Sequence, residues 1–413
     1  MSTGPQRWAM LLRRYGRKPG PHGLLGPGVL LHGFGARGRL HLRLWWRSGP
    51  RLPRLLWLLG ESWLWLRWSG LHAWRQSYQA AGSLSREAGG AGAGPLPREF
   101  FRLLRLALWW GIPPFEARRL GVHHRPGTAL DYVYDLEAGA WSRLCSPGPE
   151  AERSRRLLAD KIRCAEVLRA EGIPTVETLH CLPRHDGAAL DPCLGRGQQA
   201  WFCKARAGHA GLGAFAVWRE GDSLRGKGFD GRPLVDAAAV AQAWQALLER
   251  GDALVQPALR NHRGLGALCD SEEAITLRLF TRGGGGPAWF AMLEIPAPEP
   301  PGGKAGHSYV ILPLDEQGCP QPRRPEDLPP AARAAQTEVC ARLPQGFRVP
   351  HWEEVLDQSR HAQSLVPGLW AAAWDWVITP EGPVLLEGNA GFGLSMLQAV
   401  RGGLLATGGG IGR

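Results

Sequence analysis

Ala373-Trp374-Asp375-Trp376-Val377-Ile378-Thr379-Pro380-Glu381-Gly382-Pro383-Val384-Leu385-Leu386-Glu387-Gly388-Asn389 is the stretch that decides the fold. Two apolar runs flank Pro380-Glu381-Gly382. Proline presets φ for the first corner of a turn, and glycine accepts the left-handed position that closes a three-residue hairpin loop. With that loop, Thr379 faces Pro383 and Asp375 faces Glu387. Residues directly opposite share a sheet face, as do residues two apart on one strand, so Asp375, Glu387 and Asn389 converge. Two carboxylates and an amide oxygen are hard ligands suited to Mg²⁺ bound to nucleotide phosphates. Opposed like charges are destabilising unless a cation lies between them. Neutralising Glu387 is therefore expected to leave the nucleotide-free protein as stable as before or slightly more so. The bland alternative is a surface hairpin with three solvated polar residues.

A second half for that site lies upstream. Trp201-Phe202-Cys203-Lys204-Ala205-Arg206 reads as a strand that ends in cations, and Ala214-Phe215-Ala216-Val217-Trp218 reads as its return. The connecting Ala207-Gly208-His209-Ala210-Gly211-Leu212-Gly213 lets backbone N–H groups approach phosphate oxygens without interference from Cβ. No Gly-Lys-Ser/Thr follows, which excludes a P-loop. A strand rather than a helix follows, which excludes a dinucleotide fingerprint. Lys204 in an apolar strand needs an anionic partner, which a phosphate would supply. On this reading Gly211→Val weakens ATP binding with little loss of stability. A plain turn is the alternative for the loop.

Five segments in order resemble an ATP-grasp domain, in wording closest to the sugar-transfer-associated ATP-grasp family, which is related to α-L-glutamate ligases. They are Ala159-Asp160-Lys161-Ile162-Arg163-Cys164 with its continuation to Val176, the Lys204 strand and glycine loop, Ala253-Leu254-Val255-Gln256-Pro257-Ala258-Leu259-Arg260-Asn261-His262, Thr276-Leu277-Arg278-Leu279-Phe280-Thr281, and the Asp375…Glu387-Gly388-Asn389 hairpin. The resemblance implies an α+β fold in which two α+β subdomains hold ATP between them, and a carboxylate activated as an acyl phosphate. Lys161 and Lys204 resemble the family's nucleotide-contacting lysines, with Gly208, Gly211 and Gly213 as the phosphate cradle. Val255 and Gln256 resemble the segment that meets the adenine edge. Arg278 resembles the arginine at the transferred phosphoryl group or the carboxylate substrate, so Arg278 and Lys204 are the catalytic candidates. Asp375, Glu387 and Asn389 resemble the Mg²⁺ ligands. Two stretches depart from the family's pattern. Arg260-Asn261-His262-Arg263-Gly264 lacks the acidic ribose ligand, and Pro296 to His307 replaces an Asp-Asn and Gly-Gly site loop. Taken singly, each residue has a structural reading: Lys161 as a solvated helix flank, Gln256 as a core amide, Arg278 as a salt-bridge partner. Together they supply one site.

The formal net charge of the 413-residue chain is +12. Residues 1–75 hold thirteen Arg and Lys against the single acid Glu61, so this segment carries the whole surplus. The rest is balanced, which excludes a polybasic nucleic-acid surface over the catalytic region, and no specific nucleic-acid partner is expected. The eight cysteines form no Cys-x-x-Cys pair and have no His partner at metal spacing. No secretory leader is evident, because Arg13, Arg14, Arg17 and Lys18 break the early apolar residues. ATP and reduced thiols fit the cytoplasm.

Residues 1–75 also hold eight Trp. Four readings fit them: an interfacial segment over residues 51–75 at the inner face of the membrane, Arg/Trp stacking on single-stranded nucleic acid, disorder, or an over-extended gene start. The expected organisation is a basic, Trp-rich N-terminal segment and linker (1–97) that is largely disordered or interfacial. A helical and mixed lead-in (98–150), the ATP-grasp domain (151–400) and a Gly-rich tail (401–413) follow. One helix is expected from Ser146-Pro147 to Gly172, and others over 235–250 and 351–366. The expected function is an ATP- and Mg²⁺-dependent ligase that joins a carboxylate to an amine or other nucleophile, in cell-envelope polysaccharide modification by resemblance. The alternative is a nucleotide-binding protein without ligase turnover, attached peripherally to the membrane through its N-terminus.

Overall fold

The computed structural model describes the chain apart from residues 1–14, 17–25, 32–34, 49–52, 88–95, 195–198, 208–210, 272, 285–288, 298–308, 325–327, 329 and 407–413. The chain divides into two units: Met1–Ser146 with Pro325–Pro330 and Gly391–Arg413, and Pro147–Arg324 with Ala331–Ala390. The residues from Gly391 onward belong to the unit that holds the N-terminus.

In the second unit, apolar runs of alternating pattern form two antiparallel sheets. The first contains β1 (His180–Leu182), β2 (Ala200–Ala205), β3 (Phe215–Glu220), β4 (Ser223–Gly228), β5 (Pro233–Leu234) and β6 (Ala253–Pro257), in the order β1-β6-β2-β3-β4-β5. The helix Ala237–Arg250 is capped by Asp236, whose carboxylate accepts from the Ala239 N–H at 2.7 Å. Its stripe of Val240, Trp244, Leu247 and Leu248 follows helical spacing and packs with Trp201, Cys203, Phe215 and Val217 of the sheet.

The second sheet contains β7 (Thr276–Arg282), β8 (Phe290–Pro296), β9 (Tyr309–Leu314), β10 (Ala371–Thr379) and β11 (Gly382–Asn389), in the order β11-β10-β7-β8-β9. Strand β10 is buried at every position. Ala372, Trp374, Trp376 and Ile378 join the core with Val355, Leu356 and Ala362 of the helix Trp352–Ser364. Both indoles find partners there: Trp374 Nε1 donates to Thr281 Oγ1 at 2.7 Å and Trp376 Nε1 to Ser359 Oγ at 2.9 Å. Asp375, alternating with them, belongs to the other face.

The single helix expected to end at Gly172 is two helices, Gly148–Ala159 and Lys161–Ala170. Asp160 separates them in an extended conformation, its carboxylate accepting from the Arg163 N–H. Aspartate favours this cap because its side chain satisfies an N–H that the helix start leaves open.

The N-terminal unit is helical. Residues 54–87, expected to be disordered or interfacial, form the helices Arg54–Arg67 and Ala73–Glu87, joined by a π-helical turn at Trp68–His72. Trp57, Glu61, Leu64, Trp68, Ala73, Ser77 and Ala80 are buried along one stripe. The helix Ala36–Ser48 is tied to Asp135–Cys145 by a fully buried pair, His41 Nδ1 to Glu137 Oε1 at 2.8 Å. No helix among the described residues is long and apolar enough to cross a membrane.

Glu116 lies buried in this unit, where its Oε1 accepts from the Asp135 N–H at 2.6 Å. Burial and the nearby Asp135 carboxylate push its carboxyl up to about 8. A raised carboxyl contributes stability that is complete below the unfolded value near 4.5 and is lost as pH rises through about 8. Glu116→Gln should therefore gain stability relative to wild type as pH rises from 5 towards 8 (roughly the ordinary carboxyl value to the raised one). Thermal unfolding of both proteins across that range checks the sign. A stability difference independent of pH would show that Glu116 is ionised in the fold.

Candidate nucleotide and metal site

The hairpin opposes Asp375 to Glu387 by a route other than the expected one. Thr379 pairs with Gly382, Ile378 with Pro383 and Trp376 with Leu385, so the turn is one residue tighter than the three-residue loop. A bulge between Asp375 and Trp376 then absorbs Leu386 and brings Asp375 opposite Glu387. An extra residue in one strand shifts the register by one position, and here it restores the pairing.

Arg278 on β7 pairs in register with Asp375. It binds that carboxylate bidentately, Nε to Oδ1 at 2.6 Å and Nη2 to Oδ2 at 2.8 Å, and its Nη1 lies 2.8 Å from Glu294 Oε1. Glu294 was not among the expected site residues. Its signal was an acid inside the apolar run Phe290-Ala291-Met292-Leu293-Glu294-Ile295. Asn389 turns its amide nitrogen to Asp375 Oδ2 at 3.1 Å and to Glu387 Oε1 at 3.3 Å. Lys161, at the start of the helix that Asp160 caps, places Nζ 3.5 Å from Glu387 Oε2. Lys204 lies on β2, where Trp201 and Cys203 are buried, and its charge is felt by Glu387.

The electrostatics follow from burial. Desolvation lowers the Lys204 ammonium to about 8, with Glu387 and Asp375 opposing the fall and Lys161 adding to it. Burial works against the Arg278 charge, but Asp375 and Glu294 outweigh it and hold the guanidinium above its ordinary value. Burial raises the Glu294 carboxyl to about 7 although Arg278 opposes the rise. Burial also works against the Glu387 charge, but Lys204 and Lys161 overcome it and leave that carboxyl lower than usual.

Other expected residues have structural engagements. Gln256 is buried on β6, and its amide donates to Thr178 Oγ1 at 3.1 Å. The Val255 carbonyl accepts from the Leu179 N–H at 2.9 Å. Gly211 and Gly213 have φ of +60° and +78°, and a Cβ on Gly211 would sit 2.4 Å from the Phe229 ring. The expectation that Gly211→Val spares stability is therefore wrong, since the left-handed backbone and the Phe229 contact both exclude a side chain. Gly208 lies outside the described residues, as does most of the loop from Pro296 to His307.

The residues present fit a hard dication. Asp375 and Glu387 are adjacent carboxylates, and rotating the Asn389 amide by half a turn would offer its oxygen in place of its nitrogen. Lys204 comes from the first sheet, whereas the helix that carries Lys161 shares the second sheet's core with the acid–amide hairpin. A sequence model of the sugar-transfer-associated ATP-grasp family matches residues 150–407, and the chain belongs to that family. No curated protein matches the chain. Among solved structures it is similar to the D-alanine-D-alanine ligase from Coxiella burnetii, at 16% identity over 57% of this chain and 48% of that one, with a TM-score of 0.32. It is also similar to the ATP-grasp ligase PsnB complexed with minimal precursor, at 15% identity over 68% and 66% with a TM-score of 0.34. A third is the D-alanine–D-alanine ligase from Bacillus anthracis complexed with ATP, at 13% over 62% and 63% with a TM-score of 0.36. The chain spans about half to two thirds of the length of these structures.

The cations around Glu387 change what its neutralisation should do. Asp375 and Glu387 do not stand alone as like charges: Arg278, Lys161 and Asn389 already engage them. Glu387→Gln should make the nucleotide-free protein less stable than wild type, because Lys161 and the desolvated Lys204 lose a counter-charge. It should also lose most of the Mg·ATP-dependent thermal shift. Melting temperatures with and without Mg·ATP check both, and a variant that keeps the full shift would remove Glu387 from the metal site.

Proposed function

We propose that this protein is an ATP- and Mg²⁺-dependent ligase that phosphorylates a carboxylate substrate and passes its acyl group to an amine or another nucleophile. The observation that carries this reading is the cluster of Asp375, Glu387 and Asn389 faced by Arg278, Lys161 and Lys204. Mg²⁺ would be held by Asp375, Glu387 and Asn389, and when bound it would supply charge neutralisation for the phosphates. Lys161 and Lys204 would bind phosphate oxygens, and Lys204 would take up its proton firmly once an anion arrives, since burial holds its ammonium near 8. The backbone around Gly211 and Gly213 would line the phosphates, and the segment at Val255 and Gln256 the adenine. Arg278 would orient the carboxylate or the transferred phosphoryl group. In the reaction, a carboxylate oxygen bonds to the γ-phosphorus as the bond to ADP breaks. The nucleophile then bonds to the acyl carbon as phosphate leaves. Positioning and electrostatics dominate such transfers. A sugar-linked substrate is in keeping with the family's description, and a cell-envelope glycan would be one such acceptor.

One observation favours a second reading, nucleotide binding without turnover: Arg278 occupies both oxygens of Asp375. The two readings separate in one experiment. Full-length protein with Mg·ATP is given panels of uronic and amino acids with amine acceptors, and ADP is measured. The ligase should release ADP only when both substrate classes are present, and hydroxylamine should trap the activated acid as a hydroxamate. Lys204→Ala should lower that rate by about 100-fold or more, the scale of losing a charge-stabilising donor. Mg·ATP stabilisation without ADP release under any pairing would leave binding alone.

Peripheral membrane attachment rests on the N-terminal unit. The face opposite the buried stripe of residues 54–87 exposes Leu55, Leu59, Trp63, Leu66, Leu71 and Trp74. Arg43, Arg47 and Arg75 are exposed in the same unit. Apolar and aromatic side chains with surplus cations suit an anionic lipid surface. Co-sedimentation with phosphatidylserine vesicles should be salt-sensitive and be lost in a Leu59→Ser, Trp63→Ser, Leu66→Ser variant of unchanged helicity. Equal sedimentation with neutral vesicles would remove the anionic lipid from the reading, and none with either at low salt would remove the membrane.

A further inference from the structure

Away from the nucleotide site, the N-terminal unit gathers Glu99, His123 and His124. Glu99 lies in the first turn of the helix Leu96–Trp110. The histidines follow the short helix Pro114–Arg119, where Gly121, with φ of +68°, turns the chain back and the Val122 N–H donates to the Ala117 carbonyl at 2.9 Å. One ligand atom from each of the three side chains lies within 4.8 Å of the others.

Two of these side chains hold buried polar atoms without a partner. Glu99 is 8% exposed and His123 is 5% exposed, and Glu99 Oε2 and His123 Nε2 have no hydrogen bond. Leaving such atoms unsatisfied is destabilising, because each gives up its hydrogen bond to water. The rest of each group is engaged: Glu99 Oε1 accepts from Arg102 Nη1 at 2.6 Å, and His123 Nδ1 lies 3.3 Å from the Ala117 carbonyl. That second contact fixes the tautomer. A carbonyl can only accept, so Nδ1 carries the proton and Nε2 keeps its lone pair. Metal-binding histidines are held in this way, with the other ring nitrogen donating to a backbone carbonyl.

We infer that Glu99 Oε2, His123 Nε2 and the His124 ring form a binding site for a divalent transition-metal cation, with Zn²⁺ the best match. Two imidazoles and a carboxylate suit Zn²⁺, and the lone cation would satisfy both orphaned atoms together. Ligand atoms around tetrahedral zinc stand about 3.3 Å apart, given bonds of about 2.0–2.1 Å. The His124 ring, exposed but packed on His123 with ring centroids 3.8 Å apart, would have to turn to close that gap. Bound there, the ion would join the helix Leu96–Trp110 to the segment that follows Pro114–Arg119. Arg102 and Arg118 are the neighbouring cations. Arg102 is spent on the other oxygen of Glu99, and Arg118 Nη1 is directed to Ser83 Oγ.

The test uses the full-length protein and Zn²⁺ alone, with Mg²⁺ in excess so that the oxygen-rich hairpin does not compete. Calorimetry should show one equivalent bound, and melting should shift upward. Co²⁺ in place of Zn²⁺ should give visible bands without a thiolate charge-transfer band, which separates this site from the cysteines. Because the His124 ring is exposed, His124→Ala should fold normally and bind Zn²⁺ roughly tenfold or more weakly, and Glu99→Gln should do the same. The proposal is overturned if wild type takes up no Zn²⁺, as it would if a water bridged these atoms, or if both variants bind as tightly as wild type.

Discussion

The site depends on the bidentate grip of Arg278 on Asp375. Strand β10 is buried along its whole length, and Asp375 is its one charged residue. A carboxylate in that position is strongly disfavoured unless it is paired and hydrogen-bonded. Arg278 supplies two parallel bonds from the adjacent strand, and its remaining nitrogen reaches Glu294 on the next. One guanidinium thus makes the sheet tolerate two acids on three successive strands. A buried ion cluster of this kind is weak evidence for stability, since well-packed apolar residues often do as well or better. Its presence in the middle of a sheet therefore argues for a task that needs charge.

The balance of signs bears on the proposed task. Three acids, Asp375, Glu387 and Glu294, meet three cations, Arg278, Lys161 and Lys204. The balance is not evenly shared. Arg278 is held firmly charged by Asp375, whereas Lys204 is brought down to about 8 by burial that Glu387 only partly offsets. Lys204 is the member of the set most responsive to an added anion, and Glu387, held by Lys161 and Asn389, is the carboxylate with most to offer an added cation. On the proposed reading, a metal–phosphate pair would bring both at once, the cation to Glu387 and the anion to Lys204.

The hairpin was legible in the sequence because its chemistry was local: an apolar run, a Pro-Glu-Gly turn and acids at fixed spacing. Its register was legible only in outcome. The turn is tighter than Pro380 and Gly382 implied, and the compensating bulge at Leu386 depends on contacts that no local pattern carries. Arg278 could be singled out, but its partnership with Asp375 could not, because β7 and β10 are distant in sequence and adjacent in the sheet. Glu294 was missed for the same reason, as its role comes from a neighbour in the next strand. The break at Asp160 was readable in principle, since aspartate before a helical run is a cap signal, but the apolar periodicity on either side concealed it.

In the N-terminal segment composition outweighs pattern. Its surplus of Arg, Trp and Gly with a single acid leaves disorder and an interfacial role both open. That single acid, Glu61, is fully buried, accepting from Trp45 Nε1 at 3.1 Å and from the Tyr15 hydroxyl at 3.2 Å. Trp45 in turn packs on Trp57 with ring centroids 4.2 Å apart. A lone carboxylate placed where two donors converge is a specific arrangement, and its position follows the buried stripe of the helix that carries it. The same helical period that buries Trp57, Glu61, Leu64 and Trp68 leaves Leu59, Trp63 and Leu66 facing out. Folding of this segment and its apolar outer face therefore have one cause. A helix that is apolar nearly all round can bury only one side against its own unit, so the other side stays exposed.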